Sequence, residues 1–386
     1  MTTTLQAHST TLEAICSRKG LSEALQLVGH AVSERNPLPI LTHVLIQSVE
    51  GGLLLSASDL ELGIATTVPA DVRQPGAITA PSKLISDLLA TFPDGEITIA
   101  ADRSHSTAIR IPGSDYRIAG QAPEEYPTLP EVDDTVGFRV AQPLLRQAIR
   151  QTIFAVLAEN KGRPQLTGVL LEFGESTLTM VSTDTLRMSI RSAPVSDAKG
   201  AMQVIVPARA LANLARCLND DTGDVAVRLT EKQAEFVTSG GVRVYTRLIE
   251  GQFPAYRRVI PQNWQTRISL PTGPFQQAVK RVSIVARSAD NRMEMRTHEQ
   301  RLVLRAEASP GGKAVEEIEA LVDGPDIETA FHTDHLLDIL SAIDTEGVDF
   351  EMTDPGKAAL IRPRVEPDQE ARHGEYCGVL MPLQLI

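Results

Sequence analysis

The sequence repeats itself, and this repeat restricts the fold to a series of similar units. Residues 41–47 (LTHVLIQ) and 166–172 (LTGVLLE) share Leu, Thr, Val and Leu at matching places, at an offset of 125 positions. The same offset relates Leu53 to Leu178 and Asp59 to Asp184 without a gap. Segments that are similar at one spacing are expected to fold as equivalent domains.

Two amphipathic helices are predicted in each unit. Segments that begin at Pro81, Pro207 and Thr333, 126 positions apart, open with residues suited to a helix start and continue with apolar residues at helical spacing, such as Leu84 and Leu88. A second set of apolar stripes with i, i+3, i+4, i+7 spacing begins at Leu21, Leu145 and Phe275. The helices therefore occur three times.

Short alternating apolar runs between the helices predict antiparallel strands, and glycine pairs at 51–52, 240–241 and 311–312 predict turns. Proline-containing stretches close the first two units. We therefore predict an α+β fold of three repeated domains, each with two helices against antiparallel sheets. The predicted domains are residues 1–132, 133–264 and 265–386.

The composition is that of a globular protein, with 42% hydrophobic and 22% charged residues among 386. No apolar run is long enough to cross a bilayer, and we expect no secretory signal. Cys16, Cys217 and Cys377 lie far apart, which argues against a disulfide framework and favours a cytoplasmic location. A net charge of −12 argues against a tight wrapper of nucleic acid, although net charge does not locate the charges.

No motif of an enzyme is present: the sequence lacks GxGxxG, GxxxxGK[ST], HExxH and GxSxG. His332, His335 and Asp338 have a spacing compatible with a metal site, which would support a triplicated enzyme. The favoured interpretation of this cluster is a helix N-terminus with an aspartate near the positive end of its dipole. We therefore predict no catalytic residue, no cofactor and no metal.

Basic residues recur on the predicted helices of all three units, including Arg146, Arg150, Lys280 and Arg209, with His335 at the equivalent third position. Solvated helix faces explain any one of them. Their recurrence favours a common positive surface for a polyanion, since contacts to phosphates carry no sequence information and depend on salt.

Several segments resemble one family closely. These are residues 35–40 (RNPLPI), 58–61 (SDLE), 183–187 (TDTLR), 206–207 (VP), 250–261 (EGQFPAYRRVIP) and 381–383 (MPL). The chain resembles, over nearly its whole length, the bacterial DNA polymerase III beta subunit, the replicative sliding clamp.

The resemblance implies a function as a DNA polymerase processivity factor and no catalysis. Two chains would join head to tail as a six-domain ring around duplex DNA, with helices lining the hole and sheets outside. The implied partners are double-stranded DNA without sequence preference, a second copy of the chain, the replicative DNA polymerase, the clamp-loader ATPase, and repair polymerases and other proteins with clamp-binding motifs, but no membrane.

The resemblance also implies three sets of site residues. The partner-peptide pocket would consist of Leu166, Thr183, Arg187, Met188, Pro254, Arg258, Val259, Val379, Leu380, Met381, Pro382 and Leu383. DNA contacts would involve Arg35, Lys83, Asn160 and Arg209, to which the helix pattern adds Arg146, Arg150 and Lys280. The dimer interface would pair Tyr116 and Ile118 of the first domain with Ile284 and Val285 of the third.

The chain departs from the family at Thr185 and Leu186, where many members have Gly-His, so the pocket mouth is expected to be bulkier and less polar. This leaves open a paralogous or inhibitor-resistant clamp. An alternative function is a clamp-derived peptide-binding scaffold that does not encircle DNA. Replacing Arg35, Lys83 and Arg209 by alanine would leave the activity of such a scaffold intact.

Overall fold

The computed structural model describes residues 10–33, 38–133, 135–160, 162–218, 222–308, 311–365 and 374–384. These residues form six α-helices and 26 β-strands. The helices are α1 (Arg18–Gly29), α2 (Ser82–Ala90), α3 (Gln142–Thr152), α4 (Ala208–Cys217), α5 (Thr272–Ala286) and α6 (Thr333–Ser341). Both predicted helices are thus present in every repeat, and the α+β class is confirmed.

The strands fall between the helices and are mostly short. The first fourteen are β1 (Thr10–Ser17), β2 (His43–Val49), β3 (Gly52–Ser58), β4 (Leu62–Gln74), β5 (Ala77–Pro81), β6 (Glu96–Asp102), β7 (Ser106–Ile111), β8 (Ser114–Ala119), β9 (Gly137–Ala141), β10 (Gly168–Gly174), β11 (Thr177–Thr183), β12 (Arg187–Pro194), β13 (Ser196–Lys199) and β14 (Met202–Pro207). The others are β15 (Asp224–Leu229), β16 (Gln233–Thr238), β17 (Arg243–Arg247), β18 (Thr266–Pro271), β19 (Arg292–His298), β20 (Arg301–Ala308), β21 (Gly312–Glu319), β22 (Leu321–Asp323), β23 (Glu328–His332), β24 (Gly347–Met352), β25 (Ala359–Arg364) and β26 (Tyr376–Leu380).

The predicted apolar stripes are buried in five of the six helices. Leu21 begins a fully buried stripe in α1, which the Ser17 side chain caps by accepting a hydrogen bond from the Gly20 N–H at 2.9 Å. The prediction for α2 is wrong in its details, because Ile85 and Leu89 form the buried face while Leu84 is exposed. In α6 the first helical residue is Thr333, and His332 occupies the cap position.

The chain divides into two compact units, of which the first comprises residues 1–142 and 216–247. Its strands run in the order β9-β15-β16-β17-β4-β1-β6-β7-β8, and β3, β2 and β5 continue from β4 in that sequence. All strand pairs of this unit are antiparallel. Strand β8 is an edge of the sheet.

The second compact unit comprises residues 143–215 and 248–386. Nine strands run in the order β14-β10-β11-β12-β26-β25-β24-β18-β22, and a four-stranded sheet has the order β21-β20-β19-β23. Helices α5 and α6 pack on each other, and their stripes enter a core that includes Phe275, Phe331 and Phe350. The rings of Phe331 and Phe350 meet edge to face at 5.4 Å.

One turn shows the duplication in atomic detail. Asp59 and Asp184, 125 positions apart, each accept hydrogen bonds through Oδ1 from the backbone N–H groups two and three residues later, at 2.7–3.0 Å. The residue after each aspartate has a left-handed backbone, with φ of +77° at Leu60 and +81° at Thr185. The side-chain cap of the turn fixes this conformation in both repeats.

The compact units cross the predicted domain boundaries because neighbouring repeats share sheets. Strand β4 of the first repeat pairs antiparallel with β17, the last strand of the second. Strand β12 of the second repeat pairs antiparallel with β26, the last strand of the third. The second repeat is therefore divided between the units, each part joined by main-chain hydrogen bonds to its neighbour.

Candidate functional site

The predicted peptide pocket combines a buried apolar floor with an exposed apolar rim. Met188 and Val379 are buried and lie opposite each other on paired strands. Leu186 is 53% exposed, Val259 51% and Met381 38%, so three of the eleven large exposed hydrophobic side chains among the described residues lie in or beside the predicted pocket. Exposed apolar groups above an apolar floor are typical of a surface that binds a partner.

Backbone contacts bring the parts of this pocket together. The Met381 N–H donates to the Leu186 carbonyl at 2.9 Å, and the Leu383 N–H donates to the Ala330 carbonyl at 2.8 Å. Tyr256, in the same 3₁₀ turn as Arg258, packs in one apolar cluster with the floor. Leu166 and Leu380 are buried, Thr183 and Pro382 are half-buried, and Pro254 and Arg258 are exposed.

The Arg187 guanidinium of the predicted pocket is held by three groups of the chain itself. Its Nε donates to Asp184 at 3.0 Å, its Nη1 to Asp338, and its Nη2 to the Phe154 carbonyl at 2.9 Å. The Thr183 hydroxyl donates to the Arg187 carbonyl at 2.7 Å. These groups hold the turn at the pocket mouth. The sequence spacing indicates Asp338 as a possible metal ligand but does not predict its pairing with Arg187, which lies 151 positions away.

The histidines considered for a metal site stack on each other instead. The rings of His332 and His335 lie 4.1 Å apart and nearly parallel. Within the described ranges no group of three or more His, Cys, Asp or Glu side chains is arranged to hold a metal. Burial, Arg187 and His332 lower the pKa of His335 to about 4, so His335 is neutral at pH 7.

The helices differ in charge from the rest of the chain. Together they carry nine Lys and Arg and four Asp and Glu, a net charge of +5 against −12 for the whole chain. Helix α6 carries two aspartates and no Lys or Arg, and the neutral His335 adds no charge to it. In the third repeat, the Lys and Arg residues of the helices are therefore those of α5, Lys280 and Arg281.

The predicted DNA-contact residues are exposed wherever the structure describes them. Lys83, Arg146, Arg209 and Lys280 lie on exposed helix positions, and Asn160 is exposed before a turn. Arg150 is also exposed, but its guanidinium donates to the Ser341 carbonyl at 3.2 Å and forms an ion pair with Asp344. Arg35 lies outside the described residues.

The predicted interface residues lie on or beside two sheet edges. Tyr116 is exposed on edge strand β8, with its ring 5.1 Å from that of Phe92, whereas Ile118 on the same strand is buried. Ile284 is 66% exposed on α5, the helix that contacts edge strand β21, and Val285 packs partly into the core. Tyr116 and Ile284 are thus the accessible members of this set.

Three domain descriptions of one family match the chain in order. Residues 12–130 match the N-terminal domain of the DNA polymerase III beta subunit, 139–255 its central domain and 257–374 its C-terminal domain. The chain belongs to the DNA polymerase III beta subunit family. Its three repeats correspond in order to the three domains of that family.

Relatives and solved structures agree with this assignment. A beta sliding clamp of Staphylococcus aureus is 29% identical over 344 residues, which is 86% of this chain and 91% of the relative. The DNA polymerase sliding clamp of Bacillus subtilis superimposes with a TM-score of 0.91 at 26% identity, covering 98% of this chain and all of that structure. A Pseudomonas aeruginosa beta subunit bound to griselimycin gives 0.90 at 28% identity, covering 97% of this chain and all of that structure.

None of the helices in the described ranges combines the length and apolar character needed to span a membrane.

Proposed function

We propose that the chain is a DNA polymerase processivity factor, and that two copies join head to tail into a ring that encircles duplex DNA and tethers partner proteins through the peptide pocket. The observation that carries this proposal is the way in which the repeats of one chain are joined.

The same kind of strand pairing joins the first repeat to the second and the second to the third. The fourth strand of the first and second repeats, β4 and β12, pairs with the last strand of the following repeat. The corresponding fourth strand of the third repeat is β21, and the last strand of the first repeat is β8. Among the described residues β21 and β8 are sheet edges. The same pairing between β21 of one copy and β8 of another would give the backbone groups of both edge strands a hydrogen-bonded partner.

The chemistry of the two edges supports this pairing. Strand β21 carries three glutamates and one lysine, while the β7–β8 hairpin carries two arginines and one aspartate. Opposite charge on the two edges favours the head-to-tail arrangement over pairing of like edges. Exposed apolar groups at each edge, Tyr116 on one and Val315 with Ile284 on the other, would be buried by the joint.

A ring accounts for the charge distribution of the chain. Retention by topology needs no strong affinity, so weak salt-dependent contacts from a net-positive set of helices suffice. The acidic remainder of the chain would limit non-specific adhesion to nucleic acid. We infer no catalytic step: the family is that of a polymerase accessory subunit, and the site offers apolar contacts and positioned backbone rather than a nucleophile with a base.

Sedimentation tests the joint. The wild-type protein should sediment as a dimer of twice the chain mass. The Ile284→Asp variant should sediment as a monomer, because dimerisation would bury the new carboxylate without a partner. Leu321→Asp is the matched control, since Leu321 is also 66% exposed in the third repeat but lies on β22. A wild-type monomer, or equal dissociation of both variants, would contradict the head-to-tail joint.

Retention on DNA separates the ring from the alternative scaffold. Protein loaded by its cognate loader on nicked circular DNA should remain through gel filtration and be lost once the DNA is cut to a linear form. Replacing Lys83 and Arg209 by alanine should weaken loading. A scaffold that binds peptides without encircling DNA would show neither retention on circles nor sensitivity to these substitutions.

A further inference from the structure

A second cleft adjoins the predicted peptide pocket on the face formed by β10, β14 and the loop that follows residue 251. Its volume is about 300 Å³, and it is lined by ten residues, among them Pro254 and Arg258, which also belong to the predicted pocket. Leu170 and Tyr256 line it as well and pack in the apolar cluster that contains Met188 and Val379 of the pocket floor. The cleft and the predicted pocket therefore share two lining residues and rest on one apolar cluster.

The charged groups at the cleft are unequally neutralised. Glu172 accepts a hydrogen bond from the Tyr256 hydroxyl at 2.6 Å and two from the Arg257 guanidinium at 3.1 and 2.6 Å. Burial opposes ionisation of Glu172, but the hydrogen bonds from Arg257 and Tyr256 outweigh it and lower its pKa. Glu172 and Arg257 are thus an ion pair with no net charge.

Arg257 is held in place as well as neutralised. Its guanidinium lies over the Tyr256 ring, 4.8 Å from the ring centroid. Arg258, the next residue, is exposed, and among the described residues its side chain has no hydrogen-bond or ion-pair partner. The cleft therefore has an apolar base, a fixed neutral pair and one positive charge that is available to a ligand.

We propose that this cleft is a second binding site for the same partner peptides, and that it accepts an acidic residue flanking their apolar anchors. The proposal rests on the proposed function of the pocket. Arg258, which lines both, would pair with the ligand carboxylate, and the Gln252 amide that also lines the cleft offers a further donor. A positive charge at the cleft that no described group of the chain neutralises would favour acidic partners over neutral ones.

Fluorescence anisotropy with two synthetic peptides tests the proposal. Both would carry one leucine and one phenylalanine anchor, flanked in one by two glutamates and in the other by two glutamines. For wild-type protein at low salt we expect the Glu peptide to bind about two- to fivefold more tightly, the range of an exposed ion pair. The preference should shrink at high salt because the charges are screened.

Three variants test whether Arg258 causes the preference for the Glu peptide. Arg258→Gln should bind both peptides equally, and it should fold normally because its side chain has no described partner to lose. Arg258→Glu should prefer a peptide flanked by lysines. Arg305→Gln, which changes an exposed arginine on β20 of the same compact unit, is the matched control and should keep the wild-type preference.

The outcomes distinguish the two proposals. If neither peptide binds wild-type protein, the pocket itself is not a peptide site and the proposed function is overturned. If both bind wild-type protein equally, the proposed function of the pocket stands, and the proposal that the cleft binds an acidic residue is wrong. A Glu preference that survives in Arg258→Gln would also overturn the assignment, because it would then arise from other residues.

Discussion

Replacing Thr185 by glycine should stabilise the protein, although it removes a side chain. Thr185 is β-branched and has φ of +81°, a left-handed backbone that residues with a Cβ adopt at a cost. The Asp184 carboxylate holds the turn in this conformation by accepting from the Leu186 and Arg187 N–H groups, both at 2.9 Å. The strain therefore lies at the mouth of the predicted pocket, where stored strain is typical of functional sites.

The expected increase in the free energy of unfolding is the difference between relieved backbone strain and lost backbone entropy. A left-handed residue with a Cβ costs about 1–2 kcal/mol, which glycine would not incur. Glycine loses about 0.5–1 kcal/mol more backbone entropy on folding than alanine. Since the Thr185 side chain is exposed, its removal forfeits little burial. The net stabilisation should be about 0.5–1 kcal/mol, or a rise in melting temperature of about 1–4 °C for a unit of roughly 200 residues.

The single tryptophan, Trp264, reports on the unfolding of the compact unit that contains Thr185. It lies in the same compact unit as Thr185, and the Arg267 guanidinium packs over its ring at 4.3 Å. Urea unfolding followed by Trp264 fluorescence should show a higher midpoint for Thr185→Gly than for wild type. Thr185→Ala keeps the Cβ and should gain less. A glycine variant no more stable than the alanine variant would refute the strain argument.

Three further predictions concern stability and thiol reactivity. Glu235→Ala should lower the free energy of unfolding by about 1–3 kcal/mol in urea, because buried Glu235 pairs with Arg228 and Arg243 at 2.8 and 2.5 Å; an unchanged midpoint would contradict this. The free energy of unfolding should fall as the pH is lowered from about 6.5 to 4, because His335 binds a proton in the unfolded chain but stays neutral in the folded protein, where its pKa is about 4. His335→Gln should make unfolding less dependent on pH in this range. Cys16 and Cys217, buried and with pKa values raised to about 12 and about 11, should resist a thiol-specific disulfide reagent at pH 8 until the protein is denatured, and rapid native reaction would count against the burial.

The sequence predicted what depends on local periodicity. Helical stripes, alternating strands and the glycine turns all follow from near neighbours in the chain, and Gly51, Gly241 and Gly312 indeed have positive φ. The error in α2 has a local cause as well. Leu84 and Leu88 lie at i, i+4, but so do Ile85 and Leu89, and only the packing decides which pair is buried.

Features that depend on distant partners could not be predicted from one sequence. The donors of Arg187 are occupied by Asp338 and the Phe154 carbonyl, far away in the chain. The pairings of β4 with β17 and of β12 with β26 depend on edges that no local pattern specifies. The turn at Thr185 did leave a signal, because a Ser/Thr-Asp pair recurs at residues 58–59 and 183–184.

The strand pairing that joins neighbouring repeats leaves two strand edges for a second copy of the chain. The fourth strand of a repeat pairs with the last strand of the following repeat, as β4 does with β17 and β12 with β26. Among the described residues, the strands without this pairing are β21, the fourth strand of the third repeat, and β8, the last strand of the first. An exposed edge promotes aggregation unless it is protected or paired. In the dimer that we propose, a second copy would pair both edges at once, and because the joint is directional the two copies would close head to tail. The glutamates of β21 and the arginines of the β7–β8 hairpin would disfavour pairing of like edges, so the charges favour the same arrangement that the strand order would permit.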